Sequence, residues 1–345
     1  MSRRMLPIVA LLGAVLALPG AAAESAFKVP ASKAELDGIV RAQAASVKGT
    51  FGVYIKHVES GEWTGVNENR RFSLASVFKV PLLLTLYREA DLGHVSLDDR
   101  IVLEDRMKTY GSGLLVDLAP GLNLTVHDLA VLMMARSDNT ATDILFDLVT
   151  PGKIAAYMAE LGLKSTTVDM STRQLILGYL GLDPARPLTI RELEKLPPAV
   201  WARPEVLERQ KAFGTSEHDT STPLEIGLLY EKCLKGEVVD RAASDAILDV
   251  LKVHTGAEVI LRYLPAETPI ARKGGSLGRG GENTVFNDSG IVWLPGRAGR
   301  LVICLFGNDL REVHYELKHK MGVIARAAYD YYTSRANPAP PGRGR

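Results

Sequence analysis

The 345 residues carry 41 basic and 40 acidic side chains, a net charge of +1, with 46% hydrophobic and 23% charged residues. This is a globular composition with apolar material for one large domain or two intimate ones, and the balanced charge gives no sign of a polyanion-binding protein. No basic patch is interleaved with aromatics, so no nucleic acid partner is expected.

Arg3-Arg4 precede an apolar run from Leu6 to Leu18, which ends in Pro19-Gly20-Ala21-Ala22-Ala23. The run is too short to span a bilayer, and Ala21 and Ala23 suit a signal peptidase. Residues 1–23 therefore read as a signal peptide, cleaved on export to the periplasm or beyond. No later stretch is apolar enough for a membrane span.

Ser32 to Ala45 reads as a helix capped by Ser32, with Leu36, Ile39 and Val40 on one side. Phe51 to Ile55 is strand-like, and Glu59-Ser60-Gly61-Glu62 turns the chain into Trp63-Thr64-Gly65-Val66, a hairpin. From Val80 to about Leu92 the pattern is helical, with Pro81 removing a donor and bending the helix. Helical periodicity then recurs over Thr125 to Met134, Thr140 to Val149, Ile154 to Leu161, Ile190 to Lys195 and Pro223 to Leu234. Thr268 to Lys273, Gly290 to Leu294 and Leu301 to Phe306 read as strands, Glu312 to Tyr332 as a last helix, and Ala336 to Arg345 as a disordered tail. Strands at both ends with helices between them predict an α+β fold. An antiparallel sheet of about five strands is flanked by the terminal helices, with an all-helical domain inserted. The parts are 27–80 with 236–335 for the α/β domain and 81–235 for the helical one.

Cys233 and Cys304 are the only cysteines. Each follows an apolar run, which favours two buried thiols over a disulfide even in an exported chain. The seven histidines are scattered without metal-ligand spacing, so neither a metal nor a cofactor is expected.

Ser76-Val77-Phe78-Lys79 sits where Arg70-Arg71-Phe72-Ser73 gives way to Val80-Pro81-Leu82-Leu83-Leu84. A helix starting here puts i and i+3 on one face, with the Lys79 amine over the Ser76 hydroxyl. A desolvated amine can lose its proton and accept one from serine, and the unpaired N–H groups of the helix start can stabilise an oxyanion. Alone the spacing is weak. Ser25-Ala26-Phe27-Lys28 also fits it, and taken alone an N-cap serine with an exposed lysine explains it better. Two further stretches change the weight: Ser137-Asp138-Asn139 between two helical patterns, and Lys273-Gly274-Gly275 at a strand end. Each alone is a capping turn or a solvated strand end. In this order, on these elements, the three form the signature of serine penicillin-recognising enzymes.

On these residues the chain resembles the class A β-lactamase-like serine hydrolases, relatives of penicillin-binding proteins. The resemblance runs from about residue 30 to 332. It takes in Gly111-Ser112-Gly113-Leu114-Leu115, Pro120-Gly121 before Leu124-Thr125, Ser137 to Thr142 and Asp219-Thr220-Ser221-Thr222-Pro223. It implies a site in the seam between a helical and an α/β domain. Ser76 would be the acylated nucleophile, Lys79 its proton partner and Ser137 the relay to the leaving nitrogen. Asn139 and Lys273 would hold the substrate, with Gly275 and Ser276 lining the same strand and the N–H groups of Ser76 and Ser276 forming the oxyanion hole. The substrate implied is a small-molecule β-lactam or a peptidoglycan-like amide, handled by a monomer.

Two departures stand out. Where the family has Thr or Ser after its lysine, Gly274 has no hydroxyl for a substrate carboxylate, which predicts that threonine at 274 strengthens carboxylate binding. The family's deacylating glutamate falls at Thr172 when read forward from Thr167-Val168-Asp169, and at Val206 when read back from Asp219. The loop 170–218 reads as enlarged, and Glu208, with Glu205 beside it, is the remaining candidate for the deacylation base. The preferred function is an exported serine hydrolase that opens β-lactams or related amides through an acyl-Ser76; the alternatives are a penicillin-binding or D-alanyl peptidase-like protein that deacylates slowly and a non-catalytic envelope-binding protein.

Overall fold

The computed structural model describes residues 27–185, 188–214, 218–253, 259–279 and 282–336. The expected signal peptide and nearly all of the expected tail lie outside them.

The first hairpin, β1 (Thr50–His57) and β2 (Trp63–Val66), forms as its alternation predicts. Two-residue β3 (Phe72–Ser73) pairs with β6 (Thr220–Ser221), and β4 (Arg100–Val102) pairs with β5 (Asn123–Thr125). The long strands return at the end of the chain as β7 (Ile270–Arg279), β8 (Glu282–Trp293) and β9 (Arg300–Asn308). The main sheet is five-stranded and antiparallel throughout, in the order β2-β1-β9-β8-β7. This is the α+β architecture expected.

Side chains alternate across the sheet with period two. Leu301, Ile303 and Leu305 join a core with Leu36, Val40 and Ile324, whereas Val302, Cys304 and Phe306 join a second core with Ile226 and Tyr230. The first core is roofed by α1 (Lys33–Ser46) and α11 (His314–Ala336), the chain's terminal helices. On the other face lies the helical body: α2 (Lys79–Asp91), α3 (Val126–Ala135), α4 (Asn139–Val149), α5 (Pro151–Glu160), α6 (Thr172–Tyr179), α7 (Ile190–Glu194), α8 (Pro204–Gly214), α9 (Pro223–Lys235) and α10 (Arg241–Lys252). Cys233 and Cys304 are buried and unpaired.

Four details differ from the sequence reading. Helix α2 begins at Lys79 after a 3-10 turn over Ala75–Phe78. Pro81 therefore sits in the first helical turn, where a missing N–H costs nothing. The 170–218 segment is largely helical, because Ser171 with Gln174 and Thr189 with Glu192 form capping boxes that start α6 and α7. Helix α10, capped by Asp240, extends the helical body past residue 235. Strands β7 and β8 run longer than their apolar segments, since Gly274 and Gly275 pair with Asp288 and Asn287 despite carrying no strand signal.

Asn287, on β8, ties the sheet to the 3-10 turn. Its Nδ2 donates to Ser73 O at 2.8 Å and Leu74 O at 2.9 Å, and its Oδ1 accepts from Gly307 N at 3.2 Å. Truncation leaves these groups buried without partners, so Asn287→Ala is expected to destabilise the fold by about 2–4 kcal/mol. Urea unfolding checks this, and a change within error would mean that the turn is held by packing alone.

Candidate active site

The turn that carries Ser76 is positioned from both sides. Leu74 N donates to Asp219 O at 2.8 Å, and Ala75 then takes a left-handed backbone at φ 44°. Between Leu74 and Val80 only Ser76 is not buried, so packing of Val77 and Phe78 leaves one hydroxyl facing outward. Gly275 of β7 lies against this turn. A Cβ there would stand 2.7 Å from Leu74 O and 2.8 Å from Ser76 N. Only glycine lets the strand come so close to the Ser76 N–H, and this sets the Ser276 side of the cleft beside it.

Lys79 is fully buried and its amine has three acceptors: Ser137 O at 2.8 Å, Ser137 Oγ at 3.0 Å and Asn139 Oδ1 at 2.9 Å. The hydrogen bond to Ser76 that the i, i+3 spacing predicts is not among its contacts. The long side chain is drawn instead across to the Ser137–Asn139 segment. Burial lowers the Lys79 pKa to about 7, against the opposing charges of Asp143 and Asp138. Lys273 Nζ reaches the same Ser137 Oγ at 3.1 Å. Its pKa is held well below the usual lysine value by burial, then by the positive charges of Lys79 and Arg272. The Ser137 hydroxyl thus sits between two amines, each able to pass it a proton when charged or take one when neutral.

Ser137 has a left-handed backbone, φ 52°, and its neighbours hold it there. Asp138, fully buried, caps α4 through Ala141 N at 2.9 Å and accepts from Leu114 N at 2.6 Å and Leu115 N at 2.9 Å. Ser112 Oγ donates to Ser137 O at 2.8 Å, and Asn139 Nδ2 donates to Tyr110 O at 3.0 Å. Asp143, one turn into α4, accepts from Thr109 Oγ1 at 2.8 Å, Thr172 N at 2.6 Å and Arg173 N at 3.0 Å. Its carboxylate therefore caps the start of α6, and burial raises its pKa. Three loops converge on the α4 start.

Ser76, Ser112, Ser137, Gly274, Gly275 and Ser276 line one cavity of about 370 Å³, with Arg272 in its wall. Ser76, Lys79, Ser137, Asn139, Lys273, Gly275 and Ser276 are thus brought together. Glu205 and Glu208 are exposed on α8, and neither lines this cavity. Among the described residues no carboxylate lines it. Thr172, at the forward-read position of the glutamate, is buried with its Oγ1 unpartnered. Sequence reasoning assigned no role to Ser112, Asp138, Asp143 or Arg272. Ser112 and Asp138 lay inside quoted motifs and Arg272 directly precedes the Lys273 motif, but Asp143 gave no signal, since nothing local says which partners an isolated charge will meet.

A family model described as the beta-lactamase enzyme family matches residues 32–332. A beta-lactamase from Streptomyces fradiae is 26% identical over 293 residues, which cover 83% of this chain and 83% of that protein. Among solved structures, a beta-lactamase from Sphaerobacter thermophilus matches with a TM-score of 0.67 at 30% identity, over 88% of this chain and 98% of that one. A PBP-A mutant solved as an acyl-enzyme complex with penicillin G shares the fold, with a TM-score of 0.66 at 20% identity over 89% and 99% of the two chains.

A lysine must be neutral to accept a proton, and the fraction of neutral Lys79 rises as pH climbs through about 7. If Lys79 is the base for a nucleophilic Ser76, the rate at which a penicillin acylates the protein is expected to rise with pH through that value and level off above it. Intact-mass time courses on either side of it check this. A rate that falls over the same range would remove Lys79 as the base.

Proposed function

The chain belongs to the beta-lactamase enzyme family, and from that premise we propose that it is an exported serine hydrolase that β-lactams or related amides acylate at Ser76 and that releases the acyl group slowly. The acylation half rests on one observation, the Ser137 hydroxyl held at 3.0 and 3.1 Å between the amines of Lys79 and Lys273 beside the outward-facing Ser76. Neutral Lys79 takes the Ser76 proton, directly or through Ser137, as Oγ attacks the amide carbonyl. The N–H groups of Ser76 and Ser276 stabilise the oxyanion, and Ser137 passes a proton to the nitrogen as the C–N bond breaks, leaving an ester on Ser76. Asn139 and Lys273 hold the substrate. A purely binding protein would not need a lysine of lowered pKa buried behind a serine, which disfavours the non-catalytic reading. Export follows from the leader, and among the described residues no helix is long and apolar enough to cross a membrane.

Slow release is supported by the cleft's lack of an acidic residue among those described. Hydrolysis of the ester needs a base aimed at a water, and without one the step forgoes a contribution of about 10²–10⁴-fold. A chromogenic cephalosporin should therefore give a burst of one product per enzyme and then a slow steady state, with the adduct visible by mass, mapped to Ser76 and abolished by Ser76→Ala. Sustained turnover that Glu208→Gln stops would instead assign the base to Glu208, and a label on Ser112 or Ser137 would overturn the nucleophile.

A further inference from the structure

We propose that Asp219 is a positioning residue that joins the 167–172 stretch to the Ser76 turn as a neutral carboxylic acid, and that this junction loosens when the acid releases its proton to water. Asp219 sits at φ 44° and serves two neighbours at once. Its Oδ1 accepts from Asp169 N at 2.9 Å and Met170 N at 3.1 Å, while its carbonyl accepts from Leu74 N at 2.8 Å, two residues before Ser76. Thr220 O, next along the chain, accepts from Thr167 N at 2.8 Å. Met170 leads directly into the Ser171–Gln174 capping box that starts α6. Asp219 therefore holds the entry to α6 with its side chain and the nucleophile's turn with its backbone.

What the carboxyl lacks is a cation. It is fully buried, its Oδ2 has no hydrogen-bond partner, and among the described residues only the two backbone N–H groups reach its Oδ1. Arg71, beside it in the chain before β3, donates to the Oγ1 atoms of Thr167 and Thr220. His218 Nδ1 lies 2.7 Å from Asp169 Oδ2, and Asp169 Oδ1 accepts from Asp219 N at 3.3 Å, so the nearest charged side chain is another carboxylate. Glu225, beyond Thr166, accepts from Ser165 N and Thr166 Oγ1. An ionised Asp219 would be an interior charge with a second acid beside it, and two N–H donors on one oxygen replace only part of the hydration it gives up. Burial holds its pKa well above 3.8 against those two donors, and the Asp169 charge adds to the rise.

Below 3.8 the acid keeps its proton whether the junction is closed or open. Above that value an Asp219 released to water ionises while the closed one does not. Opening is then coupled to the loss of one proton and grows about tenfold per pH unit, until the closed-state acid itself ionises. The junction is thus tightest in acid and loosens as pH rises. Asparagine keeps the Oδ1 acceptor and the shape but has no proton to lose. Asp219→Asn should therefore tighten the junction at neutral pH, the opposite of what removing one partner of a buried ion pair does.

Hydrogen exchange at the Leu74, Asp169 and Met170 amides, corrected for intrinsic rates, reads the opening directly. Between about pH 5 and 7, protection is expected to fall about tenfold per pH unit in the intact protein and to stay level in Asp219→Asn. At pH 7 the asparagine variant should be the better protected of the two. Asp219→Ala, which lacks the Oδ1 acceptor, should protect Asp169 and Met170 less than asparagine does throughout. A slope that Asp219→Asn retains would assign the pH response to His218 or Asp169 and overturn the proposal. Lower protection in Asp219→Asn than in the intact protein at pH 7, or an Asp219→Asn chain that does not fold, would overturn it too, since either would mean that the junction needs the charge. A slope at Asp169 and Met170 that Leu74 does not share would remove the link to the Ser76 turn.

Discussion

The site depends on burying one amine. An ammonium removed from water is costly unless several acceptors replace its hydration. Lys79 is given three, all from the Ser137–Asn139 segment. The substitution is incomplete, and the deficit appears as a pKa near 7. Fuller compensation would leave a permanently charged lysine unable to take a proton. Without the three acceptors, the side chain would not stay beneath the cleft.

Holding those acceptors still explains much of the surrounding structure. Ala75 and Ser137 both sit at positive φ, a conformation that costs about 1–2 kcal/mol for a residue with a Cβ. Neighbouring bonds offset it: Asn287 and Asp219 fix the chain before Ser76, while Asp138 and Ser112 fix the chain around Ser137. Asp143 extends the same linkage to α6 through two backbone donors. The loops that frame the cleft are thus joined to α4 by buried carboxylates, and movement in one would be felt by the others.

The sheet's contribution is one edge strand. Pairing of β7 with β8 puts Gly275 opposite Asn287, the residue that grips the Ser76 turn. One register position therefore holds both the strand's close approach and the turn's anchor. Because strand faces alternate, Lys273 is sent toward Ser137 while Arg272 and Gly274 share the other face. A slip of one residue would exchange those roles.

The parts legible in the sequence were those governed by local periodicity and spacing. The hairpin, the terminal helices, the capped helices α3 and α4, and the three short motifs all signal themselves within a few residues. The same holds for the antiparallel sheet closed from both ends of the chain. Where the local signal is polar or glycine-rich, as in β7 beyond Lys273 or in α6 and α8, the elements went unread. The sequence alone determined which chemical groups are present, a serine, two lysines and a polar trio, because motif identity is a local property. Only the tertiary structure decided which of them touch. Lys79 meets Ser137 rather than Ser76, Glu208 stays on an exposed helix, and Asp219 is buried beside Asp169. Each of these outcomes is set by residues far apart in the chain, through burial and strand register that no short window of sequence contains.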